Sequence, residues 1–115
     1  MLMLCYPKCS TCKKAIRHLE EKGLKPQIRD ISRENPTAEE LRGWIAQSGL
    51  PIKRFFNTSG NLYKTMHLKD RLETMSDEEK IALLASDGML VKRPLLIDGD
   101  QVLVGYRPQQ YDQLG

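Results

Sequence analysis

The stretch that decides the fold reads CYPKCSTCKK over residues 5–14, and it holds all three cysteines of the chain. Cys9 and Cys12 have the C-x-x-C spacing, and Cys5 lies four positions before Cys9. Such a cluster is typical of a metal site, a disulfide framework or a redox-active pair of thiols. The surrounding sequence has to decide among these three.

Length, composition and charge limit the class of protein. The chain has 115 residues and a net charge of +3, so we expect residues 1–115 to form a single domain with its own core. The charge is too small to indicate nucleic acid binding, and no DNA-reading motif is present. No apolar stretch is long enough to span a membrane, and the N-terminus lacks the basic leader and cleavage site of an export signal. We therefore expect a cytoplasmic protein. In the reducing cytoplasm, clustered cysteines are more often catalytic or metal-binding than part of structural disulfides.

The first third of the chain predicts strand, helix, strand. Residues 2–6 suit a short buried strand, residues 11–22 an amphipathic helix that ends near Gly23, and residues 25–31 a second strand. The C-x-x-C pair therefore falls at the first strand-to-helix junction.

The middle of the chain predicts helices. Thr37 and Ser76 each begin a capping-box pattern, and the helices that follow are expected to end near Gly49 and Gly88. Short helical segments are expected over residues 62–72. We therefore predict a helical insertion over approximately residues 37–88.

The end of the chain changes to strand periodicity. Residues 95–97 and 101–104 flank an Asp-Gly-Asp turn and predict a hairpin, with a short helix after residue 108. The whole order predicts an α/β, thioredoxin-like fold: strand-helix-strand plus hairpin-helix, with a helical insertion in the middle. A cytosolic C-x-x-C near such a unit indicates a redox motif.

The two cysteines of the pair have different predicted surroundings. Cys9 falls at or just before the first helical residue, where free N–H groups and the helix dipole favour an anion, and Lys8, Lys13 and Lys14 lie nearby. We therefore expect Cys9 to be a stabilised thiolate and the nucleophile. Cys12 lies on the apolar face one turn later and suits a shielded resolving thiol. The alternatives are two unrelated cysteines, or a reactive Cys9 beside an idle Cys12.

Cys5 allows a metal site as a second interpretation. With it the spacing becomes C-x3-C-x2-C, similar to the cluster-binding triplet of radical enzymes that use S-adenosylmethionine. Those enzymes need a larger barrel and a glycine-rich cofactor segment, which this chain does not have. Zinc would need His18 as fourth ligand, but His18 falls on the charged side of its predicted helix and is interpreted as a solvated residue. We predict no metal site and interpret Cys5 as a small apolar strand residue.

The stretch VKRPLL at residues 91–96 is the second candidate part of the site. Pro94 belongs at the first residue of a strand or at an edge, because it cannot donate to the ladder. In thioredoxin-like folds the equivalent proline is cis and lies against the reactive cysteine, which would bring Arg93 near Cys9. Arg107 follows the last predicted strand and is expected to converge on the same place. Two guanidinium groups suit an oxyanion or a carboxylate; the alternative is two ordinary surface arginines.

These motifs together resemble the ArsC/Spx family. The resemblance rests on PKCSTCKKA at residues 7–15, KRPL at 92–95 and GYRP at 105–108, in that order over essentially the whole chain. The family contains glutaredoxin-linked arsenate reductases and the redox-sensing transcription regulator Spx. The resemblance implies that Cys9 is the nucleophile and that Arg93 and Arg107 hold the arsenate adduct.

Two positions depart from the arsenate reductases. Their third arginine lies six residues before a tyrosine, and counting back from Tyr63 gives Asn57. We include Asn57 in the predicted substrate site, with Arg54 as an alternative source of the third guanidinium. Those enzymes also have a serine at the position of Cys12, whereas the C-x-x-C pair resembles Spx, in which it works as a disulfide switch.

Two features bear on the Spx resemblance. Gly49 falls where Spx contacts the C-terminal domain of the RNA polymerase α subunit, although a helix C-cap explains this glycine more simply. The sequence ends at Gly115, without the longer tail expected of Spx.

We therefore predict a cytosolic thiol–disulfide oxidoreductase that resembles the arsenate reductases and binds no cofactor. Cys9 attacks an oxyanion or a mixed disulfide with glutathione, and Cys12 resolves the adduct. Arg93 and Arg107 hold the anionic part of the substrate, and Pro94 shapes the floor of the substrate site. Glutathione, glutaredoxin or thioredoxin is the reductant. The alternative is an Spx-like regulator that binds the RNA polymerase α subunit and uses the cysteine pair as a sensor. Neither function involves a membrane or direct DNA binding.

Overall fold

A four-stranded sheet runs through the structure, a computed structural model that describes residues 1–115. The strands are β1 (Leu2–Cys5), β2 (Gln27–Asp30), β3 (Leu95–Asp98) and β4 (Gln101–Val104), in the spatial order β2-β1-β3-β4. β1 pairs parallel with β2 and antiparallel with β3, and β3 pairs antiparallel with β4. The predicted strand-helix-strand unit and hairpin therefore form one mixed sheet.

Six helices surround this sheet. They are α1 (Ser10–Glu21), α2 (Ala38–Ser48), α3 (Asn61–Thr65), α4 (Leu68–Arg71), α5 (Asp77–Ser86) and α6 (Pro108–Asp112), with 3₁₀ turns at Ile52–Phe55, Leu72–Thr74 and Gly88–Leu90. Helices α2 to α5 lie between β2 and β3 in the chain, so the predicted α/β fold with a helical insertion is confirmed. None of these helices is long and apolar enough to cross a lipid bilayer.

Alternate residues of β1, β3 and β4 enter different cores, because successive strand side chains point to opposite faces. Met3 and Cys5 belong to a cluster that includes residues of α1 and α6. Leu4 belongs to a larger cluster built with the helical insertion. Each face of the sheet therefore has its own apolar core, and the C-x-x-C helix covers one of them.

Both predicted capping boxes are present. Thr37 Oγ1 accepts from the Glu40 N–H at 3.1 Å, and Ser76 Oγ accepts from the Glu79 N–H at 3.2 Å. In each case the glutamate carboxylate accepts a bond from the N–H of its cap residue in return. Gly49 ends α2 in the left-handed conformation at φ 68°, so the helix C-cap interpretation of this glycine is confirmed.

Helix α5 ends at Ser86, close to the predicted end near Gly88, and Gly88 itself begins a separate 3₁₀ turn. A Cβ atom at residue 88 would overlap the carbonyl oxygen of Ile31, so the position needs glycine for close backbone approach. The glycine therefore marks the place where the insertion packs against the chain just after β2.

A partly buried ion pair joins β2 to α2. Arg29 donates to both carboxylate oxygens of Glu40, at 2.8 and 2.9 Å. The side chain of Arg29 is only 11% exposed and that of Glu40 is 33% exposed. The hydrogen bond from Arg29 is the main reason why the pKa of Glu40 is lowered to about 2.

The second strand is shorter than the sequence predicted. The prediction covered residues 25–31, whereas β2 spans Gln27–Asp30.

Candidate functional site

A cleft of about 690 Å³ lies beside the start of α1. Its lining includes the predicted residues Cys9, Asn57, Arg93 and Arg107. Cys12 and Pro94 are buried and are not part of the lining. The structure therefore brings four of the six predicted site residues to one surface and leaves the other two inside the protein.

Cys9 is the N-cap residue of α1, as the sequence predicted. Its backbone is extended, at φ −84° and ψ 119°, and its N–H donates to the Tyr6 carbonyl oxygen at 2.9 Å. The Cys9 side chain makes no capping hydrogen bond, so its sulfur is not engaged by the helix end. Cys9 is half-buried, whereas the other two cysteines are buried. It is therefore the thiol that a solute in the cleft can reach.

Cys12 is a buried thiol with a lowered pKa. Its side chain is 1% exposed and belongs to the core between the sheet and α1. The pKa falls from 9.0 to about 6, chiefly because of the neighbouring Cys5 thiol. The Tyr6 backbone, the Cys9 thiol and the Arg93 charge act in the same direction, against the effect of burial. The surroundings of Cys12 therefore favour its thiolate form, which helix position alone does not predict.

Cys5 is the protonated partner of Cys12. It ends β1 and is 3% exposed, so its membership of the apolar core agrees with the sequence interpretation. Its pKa is raised, first by its hydrogen bond with Cys12 and then by burial and the Cys12 charge. All three cysteines are free thiols. Cys5 is thus the thiol of this pair that its surroundings keep protonated.

Arg93 is held by an aromatic ring and not by an ion pair. Its guanidinium carbon lies 5.2 Å from the centre of the Tyr6 ring. The Nε and Nη1 atoms are buried and have no hydrogen-bond partner in the protein. The Arg93–Pro94 peptide bond is cis. Arg93 therefore brings a positive charge with free donors to the cleft.

Arg107 also lines the cleft and is the exposed N-cap residue of α6. The preceding residue, Tyr106, also lines the cleft. The Tyr106 hydroxyl is 2.7 Å from His18 Nδ1, and His18 Nε2 is 2.8 Å from Asp112 Oδ1. This chain of hydrogen bonds ties the Arg107 segment to α1.

The prediction that His18 is a solvated surface residue is wrong. Its side chain is 15% exposed, and its ring packs against Tyr106 and Tyr111. The reason is the docking of α6 on α1, a contact between distant parts of the chain that helix periodicity does not show.

The structure contains no group of three His, Cys, Asp or Glu side chains that is arranged to bind a metal ion.

Two cations in the cleft lie outside the predicted site set. Arg54, the alternative to Asn57, lines the cleft together with it. Lys92, which the sequence analysis noted only as part of the KRP motif, lines it too. Its N–H donates to the Phe55 carbonyl oxygen at 2.7 Å, which draws it towards the Arg54 turn. Nothing local in the sequence indicates this pairing.

The site combines three chemical elements. One thiol, Cys9, is accessible at the start of a helix, and a second, Cys12, is buried on the next turn and has a lowered pKa. The cleft lining carries four positive side chains, Arg54, Lys92, Arg93 and Arg107, and no carboxylate. Such an arrangement suits sulfur chemistry on a negatively charged molecule.

Comparison with known proteins adds a family context. A model of the ArsC family matches residues 4–114. The uncharacterized protein YusI of Bacillus subtilis is 48% identical over 108 residues, which cover 94% of this chain and 92% of that protein. A crystal structure of an ArsC-family-related protein from Bacteroides fragilis is 52% identical, with a TM-score of 0.95 over 97% of this chain and 94% of that one.

Other relatives carry functional names of two kinds. The structure of the arsenate reductase from Vibrio cholerae is 28% identical and has a TM-score of 0.86, covering 97% of this chain and 94% of that one. The regulatory protein MgsR of Bacillus subtilis is 30% identical over 103 residues, which cover 90% of this chain and 80% of that protein. Relatives of this chain therefore include one named as a reductase and one named as a regulator.

Proposed function

Because this chain belongs to the ArsC family, we propose that it is a thiol-dependent oxidoreductase in which Cys9 attacks the substrate and Cys12 resolves the adduct. One observation carries the proposal. The cysteine that lines the cleft shares it with the guanidinium groups of Arg93 and Arg107, and Cys12, a buried thiol with a lowered pKa, lies one helical turn behind it. Asn57 lines the same cleft and is proposed as a further polar contact for the substrate.

With a mixed disulfide as substrate, the reaction is two successive exchanges. The Cys9 thiolate attacks one sulfur of the substrate, forms a new S–S bond and releases the other sulfur as a thiolate. The Cys12 thiolate then attacks the Cys9 sulfur, and the second substrate sulfur leaves. The products are two thiols, which take protons from water, and a Cys9–Cys12 disulfide.

With an oxyanion such as arsenate, the same residues act in the same order. Cys9 forms a sulfur–arsenic bond, and water leaves after protonation of an oxygen. Attack by Cys12 on the Cys9 sulfur returns the bonding electron pair to arsenic, which becomes arsenite, and the two cysteines are oxidised to the disulfide. Arg93 and Arg107 hold the negative charge in both cases.

The dithiol is regenerated by an external thiol. Two molecules of glutathione, or one glutaredoxin or thioredoxin, reduce the Cys9–Cys12 disulfide and are themselves oxidised. We place this cycle in the cytoplasm, where these reductants keep protein thiols reduced.

The proposal is tested by replacing each cysteine of the pair. We expect Cys9→Ser to lower turnover of arsenate and of a mixed disulfide by several orders of magnitude, because serine cannot supply the nucleophile. Cys12→Ser should still react once and then accumulate an adduct on Cys9, which intact-protein mass spectrometry detects.

Ser10→Ala is the matched control, since Ser10 is an exposed neighbour of Cys9 that does not line the cleft. This variant is expected to turn over at the wild-type rate. Full activity in Cys9→Ser, or an adduct on a cysteine other than Cys9 in Cys12→Ser, would refute the assignment.

A regulatory function is the second candidate. It is favoured by the 30% identity to the regulatory protein MgsR and by the C-x-x-C pair, which then serves as a sensor. The test is a pull-down with the C-terminal domain of the RNA polymerase α subunit, under oxidising and reducing conditions. Binding that depends on oxidation, without reductase turnover, would favour the regulator over the enzyme.

A further inference from the structure

We propose that Lys92 and Arg54 form a second anion-binding subsite in the cleft, and that this subsite selects disulfides of acidic organic thiols over bare oxyanions. The inference rests on the proposed function, because it assigns a substrate class to the same pair of thiols. The first subsite is formed by Arg93 and Arg107 beside Cys9, and the second binds a negative group elsewhere on the substrate.

Main-chain pairing brings the two cations of the second subsite together. Arg54 belongs to the 3₁₀ turn Ile52–Phe55, and the Phe55 carbonyl oxygen accepts the Lys92 N–H at 2.7 Å. The following residue, Phe56, forms an isolated antiparallel bridge with Val91. Both cations are therefore fixed to the same piece of paired backbone, and not to independent loops.

The positive charges of this subsite are uncompensated. Neither Arg54 nor Lys92 forms an ion pair or a side-chain hydrogen bond. The ion pairs of the structure involve other basic residues, namely His18, Arg29, Arg33 and Arg42. The cleft lining contains no Asp or Glu. Clustered charges of one sign attract a ligand of the opposite sign and favour its binding over that of a neutral molecule.

The stem of Lys92 lies against a glycine. A Cβ atom at Gly105 would be 3.3 Å from Lys92 Cε, so a side chain at residue 105 would press on the lysine stem. Gly105 itself lines the cleft next to Tyr106. Lys92 and Arg54 also line a smaller depression of about 280 Å³, which the cleft therefore borders. Lys92 and Arg54 thus line both the cleft and the depression beside it, whereas Arg93 and Arg107 line only the cleft.

The size of the cleft agrees with an organic substrate. Pockets of about 300–1,000 Å³ hold ligands of drug size, and the cleft volume is about 690 Å³. A tetrahedral oxyanion fills only a small part of this space and reaches one subsite. A peptide-sized thiol with two separated carboxylates reaches both, with its sulfur on Cys9. Glutathione disulfide is therefore a suitable probe.

The experiment compares two disulfides that undergo the same exchange at Cys9. Glutathione disulfide carries carboxylates, and bis(2-hydroxyethyl) disulfide is neutral. Reduced protein is mixed with each one, and mass spectrometry of quenched samples gives the second-order rate constant for adduct formation on Cys9. Lys92→Met and Arg54→Met keep a linear stem and remove the charge. Lys69→Met, an exposed change on α4 outside the cleft, is the matched control.

We expect each subsite variant to react with glutathione disulfide about three- to fivefold more slowly, and the double variant about tenfold more slowly. The rate with the neutral disulfide should be unchanged, which also shows that the variants are folded. Lys69→Met should match the wild type with both disulfides. Wild-type protein should react faster with glutathione disulfide than with arsenate.

Three outcomes would overturn the subsite. The subsite variants could lose rate equally with both disulfides, or they could react with glutathione disulfide as fast as the wild type. The wild type could also react faster with arsenate than with glutathione disulfide. The proposed function fails differently. In that case the wild type forms no Cys9 adduct with either disulfide, or Cys9→Ser reacts as fast as the wild type.

Discussion

Cys5 and Cys12 are both buried thiols of one core cluster, yet their pKa values move in opposite directions. The pKa of Cys12 is lowered first by its hydrogen bond with Cys5 and then by the Tyr6 backbone, the Cys9 thiol and the Arg93 charge, against the effect of burial. The pKa of Cys5 is raised first by the same hydrogen bond and then by burial. The sequence predicted the different exposures of Cys9 and Cys12 from helix position. It did not predict the influence of Cys5, because residues on a strand and a helix meet only in the folded protein.

The resolving step should therefore follow the ionisation of Cys12. Since its pKa is lowered to about 6, the attacking thiolate is present above this pH and is lost below it. We expect the release of a small thiol from Cys9-adducted protein to accelerate as pH rises through about 6 and to level off near neutrality. Stopped-flow measurement of the released thiol between pH 4 and about 8 would show this profile.

Substitution of Cys5 tests the cause of that profile. Cys5→Ala removes the hydrogen-bond donor and should move the midpoint to higher pH. Cys5→Ser retains a donor of similar size and should leave the midpoint nearly unchanged. An identical midpoint in wild type and Cys5→Ala would contradict the assigned role of this thiol.

Among the elements, those with local signals were predicted well. Thr37 and Ser76 begin their helices with the expected capping boxes, and the hairpin turns at Gly99, which has φ 60°. The features that were missed depend on contacts between elements. His18 is covered by α6, and Gly88 is required by the Ile31 carbonyl, which lies far away in sequence. Periodicity and caps describe one element at a time and carry no information on such packing.

Gly88 offers a test of this packing. We expect Gly88→Ala to lower the free energy of unfolding by about 1–3 kcal/mol, because the new methyl group would overlap the Ile31 carbonyl oxygen and force the backbone to move. Urea denaturation followed by circular dichroism would measure the loss.

Gly43→Ala is the matched control for the same substitution. Gly43 is exposed within α2, and a Cβ there meets no atom within 4 Å. Alanine is favoured over glycine inside a helix by about 1 kcal/mol, so this variant should be as stable as the wild type or more stable. Equal effects of the two substitutions would show that crowding at residue 88 is unimportant.

On the scale of the whole molecule, the order of elements was sufficient to predict the fold, because strand-helix-strand plus hairpin-helix allows few arrangements. The candidate site was predictable in part. Cys9, Arg93 and Arg107 were selected by their motifs, and all three line one cleft. Lys92 and Arg54 were not selected as a pair, since their proximity depends on the Phe56–Val91 bridge. The roles of all these residues stay predictions.

The ion pair between Arg29 and Glu40 joins the sheet to the insertion and should affect global stability. The pKa of Glu40 is lowered to about 2. Its contribution is therefore complete above the unfolded-state value near 4.5 and is lost as pH falls towards 2. We expect Glu40→Gln to lower the free energy of unfolding by about 1.5–3 kcal/mol at pH 7.

The pH dependence separates this ion pair from other effects of the mutation. The difference in unfolding free energy between wild type and Glu40→Gln should shrink as pH falls from about 5 to about 2, because the wild-type carboxylate is then protonated too. Chemical denaturation at several pH values provides the measurement. A difference that stays constant over this range would argue against the ion pair as the cause.

The bridge between Phe56 and Val91 has a consequence for how such proteins diverge. It attaches the segment that follows the Ile52–Phe55 turn, which carries Arg54 of the proposed second subsite, to Val91, whereas Cys9 and Cys12 belong to the start of the chain. The proposed second subsite and the two thiols are thus encoded in separate stretches of the sequence. Grafting residues 51–62 from one homologue onto another should retune ligand preference while the thiols continue to exchange as before.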